Sequence, residues 1–187
     1  MQAQTAVVSP HALALRRALA VVLGAALVAA AAQIAIPLPG TPVPATLQPL
    51  AVLLVGGLLG APLGAGSMLL YLAAGAAGLP VFTPFGVPGL GRLLGPTGGY
   101  LLAYPLAAFA VGKLGADARR WSRVAAAVLV GLVLIHLGGL AQLLILTGSA
   151  TQAARLGTLP FLLGDLGKLA IAVLVLKRTA SPVRARL

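Results

Sequence analysis

Asp165 and Lys168 are the residues in this sequence best placed to do chemistry. They lie three positions apart in a stretch that is otherwise almost wholly apolar. On a helix, that spacing puts both on one face, close enough to interact. A charge near the centre of a bilayer costs about 2.5–3.5 kcal/mol on insertion scales, and such residues by default mark a functional site. The pair can be read as a self-neutralising contact that fixes helix packing, or as a polar site. As a site, the carboxylate accepts an N–H from a bound solute and the ammonium donates to a carbonyl. Gly164 and Gly167 beside them leave room for a neighbour or a ligand.

His136 stands alone in another apolar run. Metal ligands come in sets, and no Cys, no Glu and no second intramembrane His accompanies it, so no metal site is expected. A hydrogen bond across helices is the better reading for His136 than a proton relay, and Gln142 is ambiguous in the same way. Enzyme signatures are missing as well. There is no P-loop and no H-E-x-x-H. Gly64-Ala65-Gly66-Ser67 lacks the second glycine of G-x-S-x-G and any placed base. The expectation is a non-enzyme with no cofactor.

The elements that must carry these residues follow from composition. Of 187 residues, 60% are hydrophobic and 8% are charged, against about 25% charged in an ordinary soluble domain. That excludes a soluble globule and a disordered chain. A net charge of +11 does not indicate nucleic acid here, because the basic residues are spread thinly between apolar runs. The expected class is an all-α integral membrane protein. Six runs qualify as transmembrane helices, at 18–36, 47–59, 63–79, 100–111, 124–146 and 159–176. Arg16 and Arg17 flank the first, which is not read as a cleavable signal because no A-x-A-like site leads into a polar domain. The chain reads as one membrane domain: an inner segment 1–17, a bundle 18–178 and an inner tail 179–187.

Lys and Arg set the orientation. With both termini on the cytoplasmic side, the inner segments carry ten basic residues: Arg16, Arg17, Lys113, Arg119, Arg120, Arg123, Lys177, Arg178, Arg184 and Arg186. The outer loops carry Arg92 and Arg155 only. Asp117 falls in the inner loop as local charge balance, which leaves Asp165 as the one acid inside the bilayer, about one and a half turns into the sixth span. Outer loops 37–46 and 79–99 are rich in Pro and Gly yet apolar. They either cap the bundle or form a lid over an outward-facing pocket. In the first span, Ala25 and Ala29 repeat at i, i+4, as do Ala26 and Ala30, which allows close helix approach.

Several of these segments resemble one family. Pro42-Val43-Pro44-Ala45-Thr46-Leu47-Gln48 is similar to the P-V-P-x-T-L-Q signature of BioY proteins, the biotin-binding S components of energy-coupling-factor (ECF) vitamin transporters. Leu70-Tyr71 with Gly75, followed by Gly78-Leu79-Pro80-Val81-Phe82, resembles the family's third span and the loop after it. Gly95-Pro96-Thr97-Gly98-Gly99-Tyr100-Leu101 matches its G-P-T-G-G-Y-L run, and Asp165-x-x-Lys168 its D-x-x-K. The resemblance runs from about residue 20 to residue 178.

It implies an S-component-like six-helix bundle that binds biotin near its outer face and makes no bonds itself. Asp165, Lys168, Gly98, Gly99 and Tyr100 would line the pocket, with Thr46 and Gln48 from the first outer loop. Phe82 would belong to the lid. Biotin suits these residues, having two ureido N–H donors, a carbonyl acceptor, an apolar body and a carboxylate tail. Arg92 is, on charge alone, a partner for that tail. Segment 81–92 departs from some members in having no Asn or Gln. The resemblance further implies ATPase and transmembrane coupling subunits as partners, a docking face at Ala25 and Ala29, and a prokaryotic plasma membrane. The competing reading is a self-sufficient secondary transporter of biotin or another small solute, with Asp165 as its ion or proton site.

Overall fold

The computed structural model describes residues 9–116 and 120–187. Asp117 and Arg119, with the first eight residues of the inner N-terminal segment, lie outside them. The fold is helical, and its helices alternate with glycine- and proline-marked breaks. Helix α1 (Pro10–Gln33) starts where the Ser9 side chain accepts from the Ala12 amide at 3.2 Å, with Pro10 in its first turn. Helices α2 (Gln48–Leu59) and α3 (Ala61–Ala76) form a hairpin through Gly60 alone, whose φ of +83° is open to glycine at little cost. Then come the short α4 (Leu90–Leu94), α5 (Gly98–Leu114), α6 (Trp121–Thr147), α7 (Ala150–Gly157), a 3-10 turn over Leu159–Phe161, and α8 (Leu162–Arg184).

Six of these helices fall on the six apolar runs, with shifted ends. The first run was expected to continue to residue 36. Instead α1 stops at Gln33, and Ala35–Ile36 (β1) pairs antiparallel with Ala45–Thr46 (β2), Ala35 opposite Thr46. The loop between them is thus pinned at its base. The sixth helix begins three residues later than expected, because Pro160 sits in a 3-10 turn, and it runs on to Arg184. Among the described residues, Pro10–Gln33, Trp121–Thr147 and Ala150–Arg184 are long and apolar enough to cross a membrane, whereas α2 and α3 are shorter apolar helices.

Glycines let the helices approach closely. Gly99 on α5 and Gly138 on α6 face each other's backbone, and Gly56 on α2 lies against Ala108 on α5. A side chain at any of these would collide with main chain, which has no rotamer to give way. Two buried clusters result. One holds Val28, Val52, Met68, Tyr71, Phe82, Tyr100, Tyr104 and Ile135. The other is built of Leu53, Val111, Val124, Val128, Leu132, Ala172, Val173 and Leu176. At its far end Arg184 donates to the Gly57 carbonyl at 2.8 Å through Nε and to the Gly115 carbonyl at 3.2 Å. It thereby satisfies carbonyls at the C-terminal ends of α2 and α5, where a cation is favoured.

Candidate ligand site

The first helical turn of α8 carries Asp165. The late start of that helix corrects the expected depth of one and a half turns. It also gives the carboxylate a favourable place, since the helix N-terminus attracts negative charge. Lys168, one turn on, donates to Asp165 Oδ1 at 2.9 Å. From α6, His136 Nε2 meets Oδ2 at 2.7 Å. Both carboxylate oxygens are thus held, one from within α8 and one from α6. The cross-helix bond expected of His136 is present, and its partner is the site carboxylate.

These three groups line a cavity of about 570 Å³, counting its open mouth. Thr46 and Gln48 reach it from the start of α2, Tyr100 and Tyr104 from α5, Phe82 and Thr83 from the loop after α3, and Arg92 from α4. Side chains behind the wall fix those in it. Gln48 Nε2 donates to the Tyr71 hydroxyl at 2.6 Å, and the Phe82 ring meets Tyr71 edge-on at 5.4 Å. Thr46 donates to Gln48 Oε1 at 3.3 Å and accepts from the Gln48 amide at 3.2 Å.

Side-chain hydrogen bonds tie down the segments around the cavity. Gln33 on α1 donates to the Phe82 carbonyl at 3.1 Å, and Thr41 to the Leu156 carbonyl on α7 at 2.6 Å. Gln142 on α6 donates to the Leu94 carbonyl at 3.0 Å. Phe82 and Arg92 are buried.

Arg92, among the described residues, has no acid paired with it in the cavity. One of its terminal nitrogens donates to the Thr83 carbonyl at 2.9 Å, while its buried Nε has no hydrogen-bond partner among the described residues. Burial pulls the guanidinium below its usual pKa. Its walls are shared with a second, outer cavity lined by Pro37, Thr41, Pro42, Phe85 and Val87. Asp165 and Lys168 cancel, so Arg92 adds a positive charge to the site. A monoanion with a polar, hydrogen-bonding head matches that arrangement.

Two expectations need correction, at Gly98 and Gly99 and at Ala25 and Ala29. Gly98 and Gly99 do not line the cavity: Gly98 is pressed against the Leu93 backbone and Gly99 against Gly138, so their work is helix approach. Tyr100 offers its ring but no free hydroxyl, which donates to the Gly157 carbonyl at 2.5 Å. Gly164 and Gly167 face open space, with nothing within 4 Å of where a side chain would start. Ala25 is buried in the bundle core and Ala29 packs against it, so neither presents a docking face. Ala26 and Ala30 are on the exposed side of α1. Arg92 had been considered on charge alone, and Tyr104 was missed. Tyr104 follows Tyr100 by one turn and so shares its face.

A model of the BioY family matches residues 2–185. The chain belongs to the BioY family. The relatives agree over most of their length. A probable biotin transporter BioY of Pyrococcus horikoshii is 42% identical over 158 residues, covering 84% of this chain and 92% of that protein. The biotin transporter BioY of Thermotoga maritima is 38% identical over 153 residues, covering 82% and 89%. Among solved structures, the S-component for biotin from an ECF-type ABC transporter superposes with a TM-score of 0.81 at 27% identity, over 92% of this chain and 94% of that one. In this chain Asp165, Lys168, Tyr100, Phe82, Gln48 and Thr46 line one cavity, while Gly98 and Gly99 lie against neighbouring backbone.

Proposed function

We propose that this chain captures biotin at its outer face and serves as the substrate-specific S component of an ECF-type transporter. The observation that carries the reading is the cavity itself. It combines an acid held by two partners, a buried cation with no acid paired to it among the described residues, and aromatic walls in one pocket. Each held oxygen of Asp165 has capacity for a further hydrogen bond, enough to accept from a ureido N–H. Lys168 has further N–H donors for the ureido carbonyl. Phe82 and the Tyr100 ring cover the apolar body, and Arg92 pairs with the tail carboxylate. In a dry site such charge-assisted bonds are strong.

The topology goes with this reading: six spans with both termini on the cytoplasmic side, favoured by the ten inner basic residues against two outer ones. Helices α2, α3 and α5 are shorter than the other spans, and α3 and α5 keep apolar side chains such as Leu69, Leu102 and Leu106 exposed. Energy comes from ATPase and transmembrane coupling subunits, which meet the bundle on the exposed Ala26–Ala30 side of α1. A self-sufficient secondary transporter would need a polar path inward from Asp165. The apolar runs of the sequence offer few polar residues for such a path, which speaks against that alternative.

Titration calorimetry of the purified protein with biotin tests the reading. Tight binding is expected, weakened by more than about tenfold in Asp165→Asn, because a charged acceptor is lost. Equal affinity of the two proteins would remove Asp165 from the ligand site, and no heat from either would remove biotin.

A further inference from the structure

His136 faces Asp165 from a different helix, and its ring nitrogens are treated unequally. Nε2 lies 2.7 Å from Asp165 Oδ2, a contact that requires a proton on one of the two atoms. Nδ1 is buried with no hydrogen-bond partner among the described residues. A second proton on the ring would sit on Nδ1, enclosed and with nothing to accept it, which is costly. Asp165 is meanwhile held as a carboxylate by Lys168 on Oδ1 and by the N-terminal end of α8. The proton of the contact therefore belongs to Nε2, and the imidazole is neutral. Tyr100 stands edge-on to the ring at 6.2 Å and closes one side of it. The other charged or titratable groups of the cavity are Lys168, Arg92 and Tyr104.

We propose that His136 is a positioning residue for the ligand site: a neutral imidazole, protonated at Nε2, that fixes the plane of the Asp165 carboxylate against α6 so that one lone pair on each oxygen stays turned to the ligand. Lys168 alone cannot do this, because it sits on the same helix as Asp165 and moves with it. A bond from α6 sets the carboxylate against the rest of the pocket wall. The neutral ring also keeps the Asp165–Lys168 pair balanced, leaving Arg92 as the charge that selects an anion.

The ligand-binding part of this inference rests on the biotin reading; the protonation part does not. With two histidines in the chain, nitrogen-15 histidine spectra of the full-length protein in micelles resolve His136 by its loss in His136→Gln. A proton on Nε2 with Nδ1 bare is expected; a proton on Nδ1 overturns the proposal. Biotin affinity supplies the second measurement. His136→Gln, which keeps an N–H donor, should bind within about threefold of the parent, while His136→Leu should lose about tenfold or more. Unchanged affinity in His136→Leu, or equal loss in both variants, overturns the positioning role. If the parent itself fails to bind biotin, the biotin reading fails, and the protonation result still stands or falls alone. Should His136→Leu fail to fold, the spectra and His136→Gln still decide.

Discussion

At the residue scale, the pocket depends on polar side chains that never touch its contents. Gln48 lines the cavity only because Tyr71 accepts its amide at 2.6 Å inside the apolar core. Removing an acceptor there leaves a buried donor unpaired, at a cost of about 1–3 kcal/mol, whereas removing both partners costs less. Tyr71→Phe should therefore lower the thermal midpoint of the detergent-solubilised protein, and adding Gln48→Leu should restore part of the loss. Additive losses in the double variant would argue that the two groups are not coupled. The Asp165–Lys168 pair was legible in the sequence because its spacing is local and helical geometry is fixed. Its third member was not. His136 is 29 residues from Asp165, and no periodicity tells which of several helices a lone histidine will face. The rule that intramembrane ionisable groups belong to sites was the signal available.

At the scale of the helices, glycine decides how close two elements come, and glycines of one type do opposite things. Gly99 has the Gly138 carbonyl where a side chain would go, while Gly167 has open space. Gly99→Ala should destabilise the bundle by about 1–3 kcal/mol, as overpacking does. Gly167→Ala should be neutral or stabilising by up to about 1 kcal/mol, since alanine is the better helix former. Thermal unfolding of the two variants side by side checks this, and a loss at Gly167 would reveal a contact not accounted for. The six helices of the bundle were legible from apolar runs, but the role of Gly98 and Gly99 was not. A glycine against a ligand and a glycine against a neighbouring backbone look alike in one sequence. The strand pair β1 and β2, two residues each, is too short to leave a pattern. Helix α7 reads as an ordinary polar loop until Ser149 is seen accepting from the Gln152 amide at 3.4 Å.

At the scale of the molecule, charge separates the two ends of the bundle. The proposed topology puts Val87, an exposed residue of the long outer loop, on the opposite side of the membrane from Ala116 at the end of α5. The chain contains no cysteine, so single cysteines can be introduced without a background. A membrane-impermeant thiol reagent added to intact cells should label Val87→Cys and spare Ala116→Cys until the membrane is broken. Labelling of both, or the reverse, would refute the six-span arrangement. The same molecule-wide view explains why the pocket was harder to read than the spans. Spans are properties of consecutive residues, whereas the pocket collects residues from 43 to 168.

That spread has a consequence in time. A chain threaded into the membrane from its N-terminal end lays down Gln48, Tyr100 and His136 before Asp165 exists beside them. Until α8 arrives, the imidazole of His136 lacks the carboxylate that meets it at 2.7 Å, and the bundle lacks the Arg184 bonds that join the ends of α2 and α5. Of the described helices α8 is made last, and it supplies both Asp165 and Lys168 to the cavity and Arg184 to the ends of α2 and α5, so a chain inserted only as far as α7 lacks both.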